Sequence, residues 1–137
     1  MSEIETVDNR KLIKYGLAVI VIAISINSFI YFIADQFDVF SDEVINPSTK
    51  NPIPVSEIIF VSIIQMVLGI MGFAIAPEIT KKPVRLFRII AIIFLLLSFS
   101  MPFRVEGANV FVIISLMLMH VVAGLLMIVV LPKYVTN

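Results

Sequence analysis

The sequence predicts an all-α integral membrane protein, an up-down bundle of four helices with both termini in the cytoplasm. Three observations predict it. Four apolar runs, at about 12–34, 55–76, 85–101 and 109–131, approach the roughly 20 residues that a helix needs to cross a bilayer core. All seven prolines fall outside those runs, where they break helices. Lys and Arg are skewed: Arg10, Lys11, Lys14, Lys81, Lys82, Arg85, Arg88 and Lys133 fall on one side of the expected membrane, and only Lys50 and Arg104 on the other. The positive-inside rule then places the first side in the cytoplasm.

Composition narrows the class further. Of 137 residues, 60% are hydrophobic and 15% charged, and the mean hydropathy is +1.08. A soluble domain of this length cannot bury that much apolar surface, because small domains hide the smaller share of their area. The net charge is zero, which removes the electrostatic case for nucleic acid. Without cysteine there is no disulfide scaffold, thiol catalysis or thiolate metal site. Without tryptophan any interfacial aromatic belt must come from Tyr and Phe.

Residues 1–11 mix charges of both signs and read as a short cytoplasmic tail, and residues 133–137 as another; 12–132 form the membrane domain. The first run carries Lys14 near its start. It is too long for the apolar segment of a cleaved signal, and no small-residue cleavage site follows it. The 35–54 connection is acidic and proline-rich, and its Phe37–Phe40 portion is expected to lie along the membrane interface. In the second run Glu57 sits in the first helical turn, where a carboxylate suits the helix dipole, and Pro77 should end the helix. A basic turn, 77–85, leads to the short third run, where Arg85 and Arg88 would snorkel and Pro102 would close the span. Asn109 is the expected N-cap of the fourth span, Pro132 its stop, and Lys133 and Tyr134 its interfacial anchors.

Polar residues inside the spans carry what functional signal there is. Helical spacing aligns Asn27 with Tyr31 on the first span and Ser62 with Gln65 on the second. It aligns Ser98 with Pro102 on the third, and His120 with Asn109 and Gly124 on the fourth. Counted by depth, Asn27, Ser62, Gln65, Ser98, Ser115 and His120 fall in one layer near the midplane and toward the outside. Glu57, Arg104 and Glu106 would stand above it as an outer mouth. Two readings apply. Asn, Gln and Ser in membrane bundles ordinarily bond helix to helix, at about 0.5–2 kcal/mol per contact. Alternatively the layer lines an outward-open site for a small molecule or lipid headgroup, since intramembrane ionisable groups are functional candidates. His120, the only histidine, would sit opposite Gln65, one ring nitrogen donating and the other accepting. Paired-histidine haem ligation is excluded within one chain, and no acid shares the histidine's depth to complete a metal site. The methionines read as packing side chains.

Lys82-Pro83 followed by Arg85, Ser98 with Pro102, the run Met119–Gly124 (MHVVAG) and Asn27 together give the chain a family likeness. It resembles an uncharacterised group of small four-span bacterial membrane proteins, catalogued as a domain of unknown function. The resemblance implies the four-span fold and transfers no activity. Small multidrug exporters are similar in length but depend on a carboxylate in the first span, where this chain has Asn27. Quinone-linked thiol oxidases need cysteines.

The sequence therefore leads to the expectation of a non-enzymatic multi-pass protein of the bacterial inner membrane, with an accessory or interaction role. Its alternative is a small-molecule or lipid-binding protein or transporter component that uses the polar layer. No nucleophile, base and oxyanion donor come together, so catalysis is the weakest reading. No cofactor or metal is expected. The expected partner is the lipid bilayer, with a homo-oligomer compatible with the chain and no role for nucleic acid.

Overall fold

A computed structural model describes residues 4–136. Helix α1 spans Asn9–Asp35, α2 Val55–Ile79 and α3 Pro83–Ser98. A single 3-10 turn, Pro102–Arg104, precedes α4, Val110–Leu125. This last rod continues through a π-helical stretch, Leu126–Val130, into the short α5, Leu131–Val135. Four segments are long and apolar enough to cross a membrane: α1, α2, α3 extended through the following turn to Arg104, and the last rod, Val110–Val135. α1 packs on α2 and on the α4–α5 rod, and α3 packs on α2 and the same rod, so the chain turns up and down around a bundle.

Two helix starts follow from side-chain caps. Asp8 accepts from the backbone N–H of Arg10 at 2.8 Å and of Lys11 at 3.1 Å. Those bonds, Lys11's foremost, outweigh desolvation and hold its carboxyl below the usual range. Asn109 caps α4 as expected, accepting from Phe111 at 2.9 Å and Val112 at 3.1 Å.

Two expected stops do not stop their helices. α2 runs through Pro77 to Ile79, closed by Thr80 N–H to Ala76 O at 3.1 Å. A proline so near a helix end forfeits one backbone bond, which the last turn tolerates. The fourth rod also passes Pro132. Pro132 has no N–H to return to Ile128, four residues back, and the wider π turn before it accommodates the ring. Arg88 of α3 donates from Nε to the Ile128 carbonyl at 3.1 Å. Arg88 was expected only to snorkel; here it also replaces the donor that proline removes.

The core lies in two apolar clusters along the bundle axis. Near the termini, Leu12, Val19, Met66, Met127 and Leu131 surround Phe73, whose ring stacks on Phe87 at 4.3 Å. At the other end, Tyr31, Ile58, Val112 and Leu116 pack with Phe40, Val44 and Ile53 of the 35–54 connection. Lipid supplies no hydrophobic drive between helices, so close approach at small residues matters. Gly16 lies against Ile70, and Gly124 against Leu95.

The ends are built as firmly as the middle. Val7 pairs with Thr136, Asp8 N–H donates to Val135 O at 2.9 Å, and Glu5 accepts from Val84 N–H at 3.1 Å at the start of α3. The described part of the expected N-terminal tail is thus tied to the C-terminal helix and to α3. At the far end the 35–54 connection folds over the bundle. Phe37 and Phe40 do not share one interface as expected: Phe37 is exposed and Phe40 is buried against Tyr31, ring centroids 4.7 Å apart. Tyr31 OH donates to Ile53 O at 2.9 Å. Ile45 and Glu106 exchange backbone bonds of 2.9 and 3.1 Å.

Candidate functional site

Among the described residues Asn27 and Ser62 pair a buried amide with a buried serine hydroxyl, the two side chains 2% and 7% exposed. Asn27 Nδ2 donates to Ser62 Oγ at 3.2 Å. Their position is specific. On α1, Asn27 lies between Ala23 of one apolar cluster and Tyr31 of the other; on α2, Ser62 lies between Met66 and Ile58 in the same way. The pair therefore marks the boundary between the two clusters and fixes the register of α1 against α2, as a buried polar contact does in coiled coils. Asn27 Oδ1 is buried without a hydrogen-bond partner.

The other candidates are not gathered around this pair. His120 is half-buried on α4 and its Nδ1 lies 2.7 Å from Leu116 O on its own helix. A carbonyl only accepts, so the proton is on Nδ1. Ser98 likewise donates to Leu95 O at 2.6 Å. Ser115 is half-buried on α4. Gln65, expected opposite His120 on the inward face, is exposed on α2. Its helical phase sets it to one side of the core line through Ser62, Met66 and Phe73, on the edge away from α1.

The three residues of the expected outer mouth lie at the end covered by the 35–54 connection. Glu57 accepts from Asn46 Nδ2, and Glu106 pairs with Lys50 at 2.5 Å. Arg104 is exposed at the end of the 3-10 turn. The two carboxylates hold the connection down. Among the described residues no group of three His, Cys, Asp or Glu side chains is placed to bind a metal.

Sequence reasoning missed two structural residues. Tyr31 ties the connection to α1, and only its place beside Asn27 on one helical face hinted at burial. Arg88 caps the carbonyl freed by Pro132, and the missing N–H of that proline was the available signal.

The Asn27–Ser62 pair makes an asymmetric prediction. Ser62→Ala leaves the whole Asn27 carboxamide buried and unpaired and should cost about 1–3 kcal/mol. Asn27→Leu removes the unmet Oδ1 together with the Nδ2 donor and leaves only the Ser62 hydroxyl, which can turn to a carbonyl of its own helix, so it should cost less. Denaturant titration in mixed micelles orders the two variants; the opposite order would rule out the pair as the register pin.

Four membrane-length helices bundled around two apolar clusters, with a folded loop across one end, define a multi-pass integral membrane protein in contact with lipid. The chain belongs to a family of unknown function (DUF6069), whose model matches residues 7–137. No curated protein and no solved structure matches it.

Proposed function

We propose that this is a non-enzymatic accessory or interaction protein of the bacterial inner membrane, with both termini in the cytoplasm. The observation that carries the reading is where the polar side chains are spent. Asn27 bonds Ser62, Tyr31 bonds Ile53, Glu57 bonds Asn46, Glu106 pairs with Lys50 and Arg88 bonds Ile128. Each contact holds one part of the bundle to another, and none needs a guest. The work is then left to the outer surface. Eight cations at the end holding the termini, against Lys50 and Arg104 at the other, support the orientation.

A second reading, binding of a small lipophilic molecule, is favoured by one observation: the unpartnered Asn27 Oδ1 would accept a hydrogen bond. Native mass spectrometry of gently extracted protein separates the two. The interaction reading expects the chain alone, as oligomers, or with other membrane proteins. A stoichiometric small molecule, lost on Asn27→Leu, would overturn it in favour of the second.

A further inference from the structure

Gln65 has no hydrogen bond among the described residues and is exposed on a helix that crosses the membrane. α2 spans Val55–Ile79, so its midpoint is near residue 67 and Gln65 lies about 3 Å from it along the axis, at roughly 1.5 Å per residue. Either end of the helix is more than about 14 Å away on the same rise, well beyond the reach of this side chain. Snorkelling, which serves polar groups near helix ends, is therefore closed to it. A carboxamide at that depth in hydrocarbon leaves two donors and an acceptor unmet.

The surroundings show room for a partner. α1 covers one edge of α2, with Ile70 against Gly16. On the other edge α3 is held close at Phe87, 5% exposed and stacked on Phe73. Phe94, two turns further along the same face of α3, is 68% exposed. α3 runs antiparallel to α2, which brings Phe94 level with Gln65. α3 thus covers α2 near Phe73 and leaves the edge at Gln65 open. Gly72 lies two turns along that edge, and a Cβ built on it would meet nothing within 4 Å. A second helix can approach the α2 backbone there.

We infer that this edge of α2 is a homodimer interface, in which Gln65 of two copies of the chain pair across a two-fold axis normal to the membrane. Charge complementarity selects the second copy. A carboxamide carries a partial negative oxygen beside a partial positive amino group, so two related by a two-fold align opposite charges and exchange two N–H···O bonds. Copies inserted with one topology hold Gln65 at one depth without further design. Acyl chains offer no donor or acceptor, and lipid headgroups lie at the interface. A different membrane protein would need its own polar group at the same level.

Cross-linking tests this on the full chain in native membrane vesicles, where other membrane proteins are present to compete. The chain has no cysteine, so Val61→Cys and Leu68→Cys each place one thiol on the proposed edge, and Met71→Cys places one off it. The first two should form disulfide dimers on mild oxidation, and the third should not. In either dimer-forming background Gln65→Leu should weaken association about three- to tenfold, with Gln65→Asn closer to the parent. Because Gln65 is exposed, the thermal midpoint of the detergent monomer should not fall in either variant. Association unchanged by Gln65→Leu, stronger cross-linking at Met71→Cys, or cross-linking of the edge thiols to a different membrane protein would each overturn the assignment. These outcomes are independent of whether extracted protein carries a small molecule.

Discussion

Gly107→Ala should loosen the loop end of the bundle and cost about 2–5 kcal/mol, the sum of two separate penalties. The first is conformational. Gly107 has φ +71°, a left-handed conformation that an L side chain adopts only at a cost of about 1–2 kcal/mol. The second is steric. A Cβ at this position runs into the backbone carbonyl oxygen of Glu43 and comes within 3.1 Å of its carbon. Backbone cannot rotate away as a side chain does, so the 35–54 connection must shift. The Ile45–Glu106 exchange and the Lys50–Glu106 pair lie beside the clash and go with it. Gly107→Asn separates the penalties: asparagine tolerates the left-handed region but still brings a Cβ. If the carbonyl contact dominates, Asn should be nearly as damaging as Ala. Unfolding in mixed micelles gives the cost, and limited proteolysis within 35–54 shows where the structure opens. Two variants as stable as the parent would mean that the connection is not seated as described.

This contact shows why part of the molecule was legible in the sequence and part was not. The four spans could be read because bilayer thickness sets their length and lipid forbids unpaired backbone, so apolar run length alone carries the signal. Helix ends were harder. Asn109 could be read as a cap because it needs only the next turn of its own helix. Pro77 and Pro132 do not act as stops, because the cost of each depends on what else is near: the end of α2 in one case, and Arg88 with a π turn in the other. The candidate layer shows the same division. Spacing puts Asn27 and Ser62 on the faces that meet, where the structure bonds them. It also aligned Gln65 with Ser62, yet three residues on an α-helix differ by about 60° in direction. That rotation is enough to carry Gln65 past the core, because α3 does not close over it. His120 and Ser98 turned to carbonyls of their own helices, an option open to any short-reach polar group in an apolar span. The folding of the 35–54 connection had no local signature, since Phe40, Val44 and Ile53 find their partners on α1, α2 and α4.

The bond from Arg88 to Ile128 should be worth most when Pro132 is present. Arg88→Ala in the parent leaves a carbonyl unmet in an apolar bundle, and loss of a bond from a charged donor costs about 1.5–3 kcal/mol. Pro132→Ala alone has two opposed effects. It restores an N–H that can return to Ile128 and let the rod rewind toward an α-helix, but it also empties volume at a buried ring. The sign of that single variant is therefore uninformative, and the double-mutant cycle is the measurement to make. With Pro132→Ala in place, the carbonyl has its own backbone donor and Arg88→Ala should cost markedly less, giving a coupling energy of about 1–2 kcal/mol. Arg88→Lys should recover only part of the loss, because an ammonium lacks the fixed planar fork that aims Nε at one oxygen. A coupling near zero would mean that Arg88 stabilises α3 through its charge at the basic end of the bundle and not through Ile128. A clear coupling makes α3 and the last rod one unit, joined where Pro132 withholds a backbone donor. α3 meets the rest of the bundle chiefly at Phe87 and at its contacts with the last rod, so this bond has unusual leverage on how α3 sits. Its loss should widen the open edge of α2 at Gln65, linking the stability of the basic end to the surface offered in the middle of the membrane.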